Sequence, residues 1–197
     1  MKIFGLVVVG VRGTAFAARV EELIADRPEV QSIVAPMLGT WRHLRSQVAA
    51  FDRQLLAVAK TRPACRLLMS IPGVGYVSAL AFMGAIDVPE RFARSRAVGA
   101  HLGLVPKQHQ SGEVDHLGEI SKCGDAYVRT TLVEAANSLL IRCRKPSPLR
   151  EWALALEKRS GPKKARTALA RKLAVIMHSV WRSGRPYASA LPSETTV

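Results

Sequence analysis

The sequence predicts a mainly α protein: a coiled-coil arm followed by a helical domain, with one short strand at the N-terminus. Three observations carry this prediction. Apolar residues recur at intervals of three and four through most of the chain from Trp41 to Val180. Pro63, Pro89 and the Gly161-Pro162 pair punctuate those runs and set helix limits. The densest β-branched run is confined to Ile3–Val11, which reads as a strand without a partner.

After that strand a helical pattern extends from about Ala15 to Ala25, and Pro28 and Pro36 then punctuate the chain. Trp41, Leu44, Val48, Phe51, Leu55 and Val58 follow at spacings of 3, 4, 3, 4 and 3, an a/d seam on a helix ending before Pro63. The seam fits either a long amphipathic helix packed on its own domain or an antiparallel hairpin or dimerisation arm. Residues 1–28 thus form a lead segment, 29–65 a coiled-coil arm, 66–182 a helical domain and 183–197 a frayed tail.

Within 66–182, Leu67–Leu80 reads as a helix, a tight turn containing Gly73 and Gly75, and a second helix over about Tyr76–Ala85. This is a helix-hairpin-helix pattern. Its glycines permit a turn whose N–H groups, with the positive end of the second helix, face a phosphate without reading bases. A glycine-rich helix connector reads the same way. A helix is expected from Ser95, its candidate N-cap, to about Leu102. Asp125 is placed to cap a helix running to about Cys143, with Val128, Leu132, Ala135 and Leu139 buried. Helices Leu149–Arg159 and Lys163–Trp181 complete the domain, the last with an apolar stripe (Leu169, Leu173, Ile176, Val180) and a basic end and face: Lys163, Lys164, Arg166, Arg171 and Lys172.

Between these helices lies Gly99–Asp125, dense in turn formers and hydrogen-bonding side chains, and expected to be a loop that carries function. Ser111 stands beside Gly112 at its centre, with Lys107 and Lys122 at hand for an anion, and is the candidate nucleophile.

The 197 residues carry 29 Lys and Arg against 15 Asp and Glu, a net charge of +14 and an isoelectric point near 10.6. Residues 1–90 contribute +3 and residues 91–197 contribute +11. A polyanionic partner, nucleic acid, follows, engaged by the C-terminal half. Cys65, Cys123 and Cys143 are odd in number and form no CxxC pair, which predicts reduced thiols and a cytoplasmic setting. No apolar run is long enough to span a bilayer. Lys2, the apolar run after it and Ala15-Phe16-Ala17 imitate a signal peptide, but Arg12 interrupts the run too early. Glu113, Asp115, Glu119 and Asp125 could be drawn as a metal-nuclease cluster, and His109, His116 and Cys123 as zinc ligands. Solvated loop carboxylates and the lack of any customary ligand spacing favour the plainer reading of both, so no metal site is expected in this chain.

Taken together, IPGVGYVSA, AHLGLVPKQHQSG and GEISKCGDAYVRTTLVEAANSLL resemble the C-terminal transposase domain of the bacterial insertion-sequence one-ten family, also known from IS116- and IS902-type elements. The likeness runs from roughly Arg66 to Trp181. It implies DNA transposition, with Ser111 as the recombination nucleophile and Gly73, Gly75, Lys107, His109, Lys122 and Arg129 on the nucleic acid. Lys107, Lys122 and Arg129 would neutralise charge on the phosphorane; His109, two residues from Ser111, could hydrogen-bond to it or point the opposite way, and a metal-held carboxylate from the family's other domain is the expected activator. Glu119 and Cys123 depart from the family, where many relatives carry basic residues.

Members of the family also hold an N-terminal RuvC-like domain whose carboxylates bind magnesium, joined through a coiled coil. The segment FGLVV resembles the exit from that domain, so this chain is expected to lack most of it, to carry no cofactor of its own, and to meet Mg2+ only alongside it. Implied partners are DNA, a bridge-type guide RNA and a second copy through the coiled coil. The rival reading is a non-catalytic DNA- or RNA-binding remnant that dimerises with intact transposases.

Overall fold

The computed structural model describes residues 5–111, 114–143 and 147–187, with backbone only for 108–111 and 114–117. It divides into two units, 1–54 and 55–197. In order, the elements are α1 (Thr14–Ile24), α2 (Pro28–Thr61), α3 (Pro63–Leu68), α4 (Tyr76–Ile86), α5 (Arg96–His101), β1 (Pro106–Ser111), β2 (Val114–Ile120), α6 (Ala126–Asn137), α7 (Pro148–Ser160) and α8 (Pro162–Ser183). A 3-10 turn covers Pro89–Arg91, and Ser138–Arg142 continues α6 as a π-helical turn. The mainly α class expected from periodicity is what the chain adopts.

In the first unit α1 packs on the beginning of α2. Ala17, Val20 and Ile24 meet Val30 and Leu38 in a small core, with Leu6, Val8, Phe16, Val34 and Trp41 around it. Phe16 and Trp41 rings lie 5.6 Å apart, and Arg42 pairs with Glu21 at 2.6 Å. Two expectations change here. The described part of the predicted strand, residues 5–11, has no strand structure; with no second strand to accept its hydrogen bonds, it contributes Leu6 and Val8 to the helix pair instead. Pro36 does not break the chain but lies inside α2. Val30 and Val34 before it and Leu38 after it are all packed on α1, and that burial on both sides offsets the missing backbone bond.

The heptad seam also divides. Trp41 is packed on Phe16, whereas Leu44, Val48, Phe51, Leu55 and Val58 are all exposed.

The second unit is organised around α8, which contacts α3, α5, α6 and α7. Its 22 residues bury Ala165, Leu169, Ala170, Leu173, Ala174, Ile176, Met177, His178 and Val180, a set too wide for one stripe and suited to a central helix. Small residues let neighbours approach; Leu132, Leu139, Phe82, Leu68 and Leu102 fill the space around them. Asp125 caps α6 as its sequence predicts, its Oδ1 accepting from the N–H groups of Tyr127 and Val128 at 2.7 and 3.1 Å. Ser147 caps α7 through the N–H of Arg150.

Ser95 stands at the start of α5 but makes no cap bond. Its Oγ instead lies 2.9 Å from Nδ1 of His178. The fraying expected from Ser183 is not what residues 183–187 show: Gly184 terminates α8 and the N–H of Tyr187 donates to Ser70 Oγ at 2.8 Å. The remainder of that tail, 188–197, lies outside the described residues.

The largest departure is at Gly99–Asp125. Residues 106–111 and 114–120 form an antiparallel pair of strands rather than an irregular loop, with Gln110 opposite Asp115, Ser111 opposite Val114 and a bulge between Pro106 and Gln108. Lys107, Gln108, His109, Gln110 and Ser111 are all polar, so the alternation that identifies a half-buried strand is absent from β1.

Candidate nucleic-acid interface

The two strands stand on a rigid root. Gly103 has φ of 66° and Gly124 has φ of 75°; a Cβ on Gly103 would collide with the backbone of Cys123, and one on Gly124 with the carbonyl of His101. Two chain segments thus press backbone to backbone, which only glycine allows. The N–H of Ser121 donates to Val105 O at 2.8 Å and that of Lys122 to Gly103 O at 3.1 Å. Arg129 reaches from α6 to lock the joint, its Nη1 donating to the carbonyls of Leu102, Cys123 and Gly124 at 3.3, 2.7 and 3.0 Å. The guanidinium proposed for phosphate is thereby engaged in holding the root.

Ser111 is the last residue of β1, five positions beyond Pro106 at the root, so about 16 Å of extended chain separates them. His109 lies two positions before Ser111 on β1. Lys107 and Lys122 come together at the root, around Glu119. Lys122 Nζ is 3.1 Å from Glu119 Oε2, and the carboxyl is held below its ordinary pKa first by that hydrogen bond and charge, then by the more distant charge of Lys107. Lys122 itself adopts φ of 57°, a left-handed conformation that costs a lysine on the order of 1 kcal/mol and is held by its bond to Gly103. Lys107 is therefore four residues, some 13 Å of strand, from the nucleophile position, and Lys122, eight positions beyond Val114, stands farther back.

Gly73 and Gly75 are also close in sequence and different in role. Gly73 has φ of 86°, and a Cβ there would stand 2.5 Å from Ala135 O and 2.8 Å from Leu139 Cβ; it lets the α3–α4 turn press on α6. Gly75 precedes α4 with an ordinary φ of −96° and open space where a Cβ would be. Nothing caps α4 with a side chain, so the helix start beside Gly75 is the part of the turn open to an outside anion.

A groove opens beside the strand root. It measures about 1440 Å³ and is lined by the root (Leu104, Pro106, Ile120, Lys122), α5 (Arg96), α7 (Trp152) and one face of α8. Lys163, Lys164, Arg171 and Lys172 project from α8, four of the five residues that periodicity marks as its basic face. Trp152 escapes a sequence reading because it looks like one more apolar position of α7; the contact that distinguishes it, Lys172 Nζ 4.3 Å from its ring centre, links two helices. Among the described residues no three His, Cys, Asp or Glu side chains could hold a metal ion, and no helix is long and apolar enough to cross a membrane.

Comparison with known proteins decides the family. Residues 65–152 match the model of the IS116/IS110/IS902 transposase family. The transposase for insertion sequence element IS1111A of Coxiella burnetii is 39% identical over 157 residues, covering 79% of this chain and 43% of that protein. The chain belongs to the IS116/IS110/IS902 transposase family. A probable family 20 transposase of Pseudomonas aeruginosa is 31% identical over 182 residues, 88% of this chain and 53% of its own length. The pilin gene-inverting protein of Moraxella bovis is 25% identical over 152 residues, 74% of this chain and 47% of its own. The chain spans about half the length of the curated relatives it matches. The family match contains the α3–α4 turn, both strands, their root and Trp152.

Proposed function

We propose that this chain is the DNA-binding, serine-nucleophile half of an insertion-sequence transposase. The observation that carries the reading is a polar strand ending in Ser111, anchored through Gly103, Gly124 and Arg129 to a helical body rich in cations. Rigid roots and extended tips suit a nucleophile that has to reach into a DNA backbone. Ser111 Oγ attacks a phosphodiester phosphorus, the P–O bond to the departing strand breaks, and the proton lost by the hydroxyl ends on the released DNA oxygen. The phosphoserine ester keeps the bond energy, and a hydroxyl from a second DNA end reverses the step. A serine hydroxyl needs a base; His109, two positions before Ser111, is the candidate in this chain. Lys107 and Lys122, at the root, hold phosphates flanking the reacting one, and the turn at Gly75 holds another.

The magnesium ion implied by resemblance does not fit the described residues, which offer no donor set for it. The exposed seam of α2 supports self-association through Leu44, Val48 and Phe51, the a/d spacing being that of a coiled coil. The basic C-terminal half suits DNA and, equally by charge, a guide RNA.

The test is incubation of the chain with labelled element-end DNA and magnesium, with and without a separately expressed RuvC-like domain, followed by denaturing electrophoresis. A protein–DNA adduct that disappears in Ser111→Ala is the expected result; an adduct retained by Ser111→Ala overturns the nucleophile. The basic C-terminal half supports one second reading, a non-catalytic binding module, which gives salt-sensitive binding and no adduct in either mixture.

A further inference from the structure

The groove between the strand root, α7 and α8 has a composition that backbone neutralisation alone does not account for. Its rim carries Lys122, Lys163, Lys164, Arg171 and Lys172, while its floor is Leu104, Ile120, Val175 and Ile176. Among the described residues Lys163, Lys164 and Arg171 form no ion pair, and Glu119 is the sole carboxylate in the lining. Trp152 stands at the edge, 38% exposed, an indole left open to solvent in a helix that buries Leu149 and Ala153. Lys172 lies over its ring at 4.3 Å, which fixes the indole and sets a cation next to it.

Duplex DNA presents phosphates outward and keeps its bases stacked, so it has no use for an apolar floor. An unpaired strand presents both a charged backbone and free base faces, and a cationic groove with an aromatic platform is what binds it. The volume, about 1440 Å³, exceeds the ~300–1,000 Å³ of small-molecule pockets and suits several nucleotides. Among the described lining residues Thr167 is the only hydroxyl, and the apolar floor would strip water from a 2′-hydroxyl without replacing its bonds, which favours deoxyribose.

We propose that this groove binds an unpaired segment of DNA, with bases stacking on Trp152 and phosphates on Lys163, Lys164 and Arg171. The inference rests on the chain acting on DNA and adds where the strand opened beside the reacting phosphate is held. Pro106 lines the groove and Ser111 ends the same strand, about 16 Å along β1. The groove would therefore keep opened DNA from re-pairing while it stays within reach of the nucleophile.

The experiment measures anisotropy of fluorescein-labelled 12-nucleotide single-stranded DNA, the same sequence as RNA, and the corresponding duplex, with the full chain and its variants. Trp152→Ala is expected to weaken single-stranded DNA about 5- to 100-fold, the range of one lost base stack, and to change duplex affinity less than twofold. Trp152→Phe, which retains a ring, is expected to recover most of the loss. The double variant Lys163→Gln/Lys164→Gln, on exposed positions that leave the core intact, is expected to weaken single strands and lower their salt dependence. Unchanged single-strand affinity in Trp152→Ala, equal losses for single strand and duplex, or tighter binding of the RNA strand would each overturn the proposal. Those results leave the Ser111 adduct unaffected, whereas a parent chain that binds none of the three nucleic acids overturns both readings.

Discussion

His178 is fully buried, yet both of its ring nitrogens are matched. Nε2 lies 2.8 Å from Pro89 O and Nδ1 2.9 Å from Ser95 Oγ; a carbonyl only accepts, so Nε2 carries the proton and Nδ1 accepts from the serine. The ring ties α8 to the segment leading into α5, with Phe92 edge-on at 5.7 Å. His178→Ala empties that space and strands both partners, and is expected to cost about 2–4 kcal/mol, read as a lower urea midpoint. A loss below about 1 kcal/mol would contradict this role. The glycines of the α3–α4 turn separate in the same way. Gly73→Ala forces a Cβ onto Ala135 O and is expected to destabilise by more than about 1 kcal/mol, while Gly75→Ala, with open space around it, is expected to leave the urea midpoint in place and weaken DNA binding. Cysteines give a third contrast. Burial pushes the Cys65 thiol up, outweighing the nearby charge of Arg62, whereas Cys123 is exposed. A thiol reagent at pH 8 is expected to label Cys123 in the folded chain and Cys65 only in denaturant, because the reactive thiolate is suppressed at the buried site; mass spectrometry of labelled peptides reads the order.

Among the elements, the strand pair and α2 depend on residues whose roles the sequence states only in part. Arg129 spaces as an α6 surface cation, and nothing in its neighbours announces that its guanidinium closes on carbonyls 5, 6 and 27 residues away. Arg129→Ala is expected to lower stability by about 2–3 kcal/mol and Arg129→Lys to recover little of it, since a lysine ammonium on its shorter, flexible stem is not held where Nη1 meets all three carbonyls. A variant with unchanged stability and weaker DNA binding would return Arg129 to phosphate. Helix limits from α4 onward were legible because caps and breakers are local: Asp125, Gly161 and Pro162 act where they stand. The strands were not legible because Lys107, Gln108, His109 and Gln110 carry no alternation; their pairing is directed by the glycine joint, whose two halves lie about twenty residues apart. The seam of α2 was legible as a period and silent about its cover. Val48→Glu with Phe51→Glu, both exposed, is expected to leave the melting temperature in place and reduce the molar mass measured by light scattering to that of one chain. A parent chain already monomeric would contradict self-association through this seam.

For the molecule as a whole, charge decides more than fold. Six of the 19 basic residues in 91–197 stand on α8, and the attraction of this half for DNA depends on released counterions. Affinity for DNA is expected to fall about a thousandfold between 50 and 200 mM salt; a change below tenfold would mean that contacts other than phosphates dominate. Glu119 tempers this charge at the root. Glu119→Gln frees Lys122 and is expected to tighten binding and steepen its salt dependence. Because the Glu119 carboxyl is held below its ordinary pKa, the pair persists at neutral pH and is lost only as pH falls through that lowered value. The most direct test of Ser111 as nucleophile is to digest the protein–DNA adduct with trypsin and fragment the nucleotide-bearing peptide. Cleavage after Lys107 and Lys122 releases residues 108–122, QHQSGEVDHLGEISK, which contain two serines. The expected result is the nucleotide on Ser111; a nucleotide on Ser121 or on any other residue would contradict it.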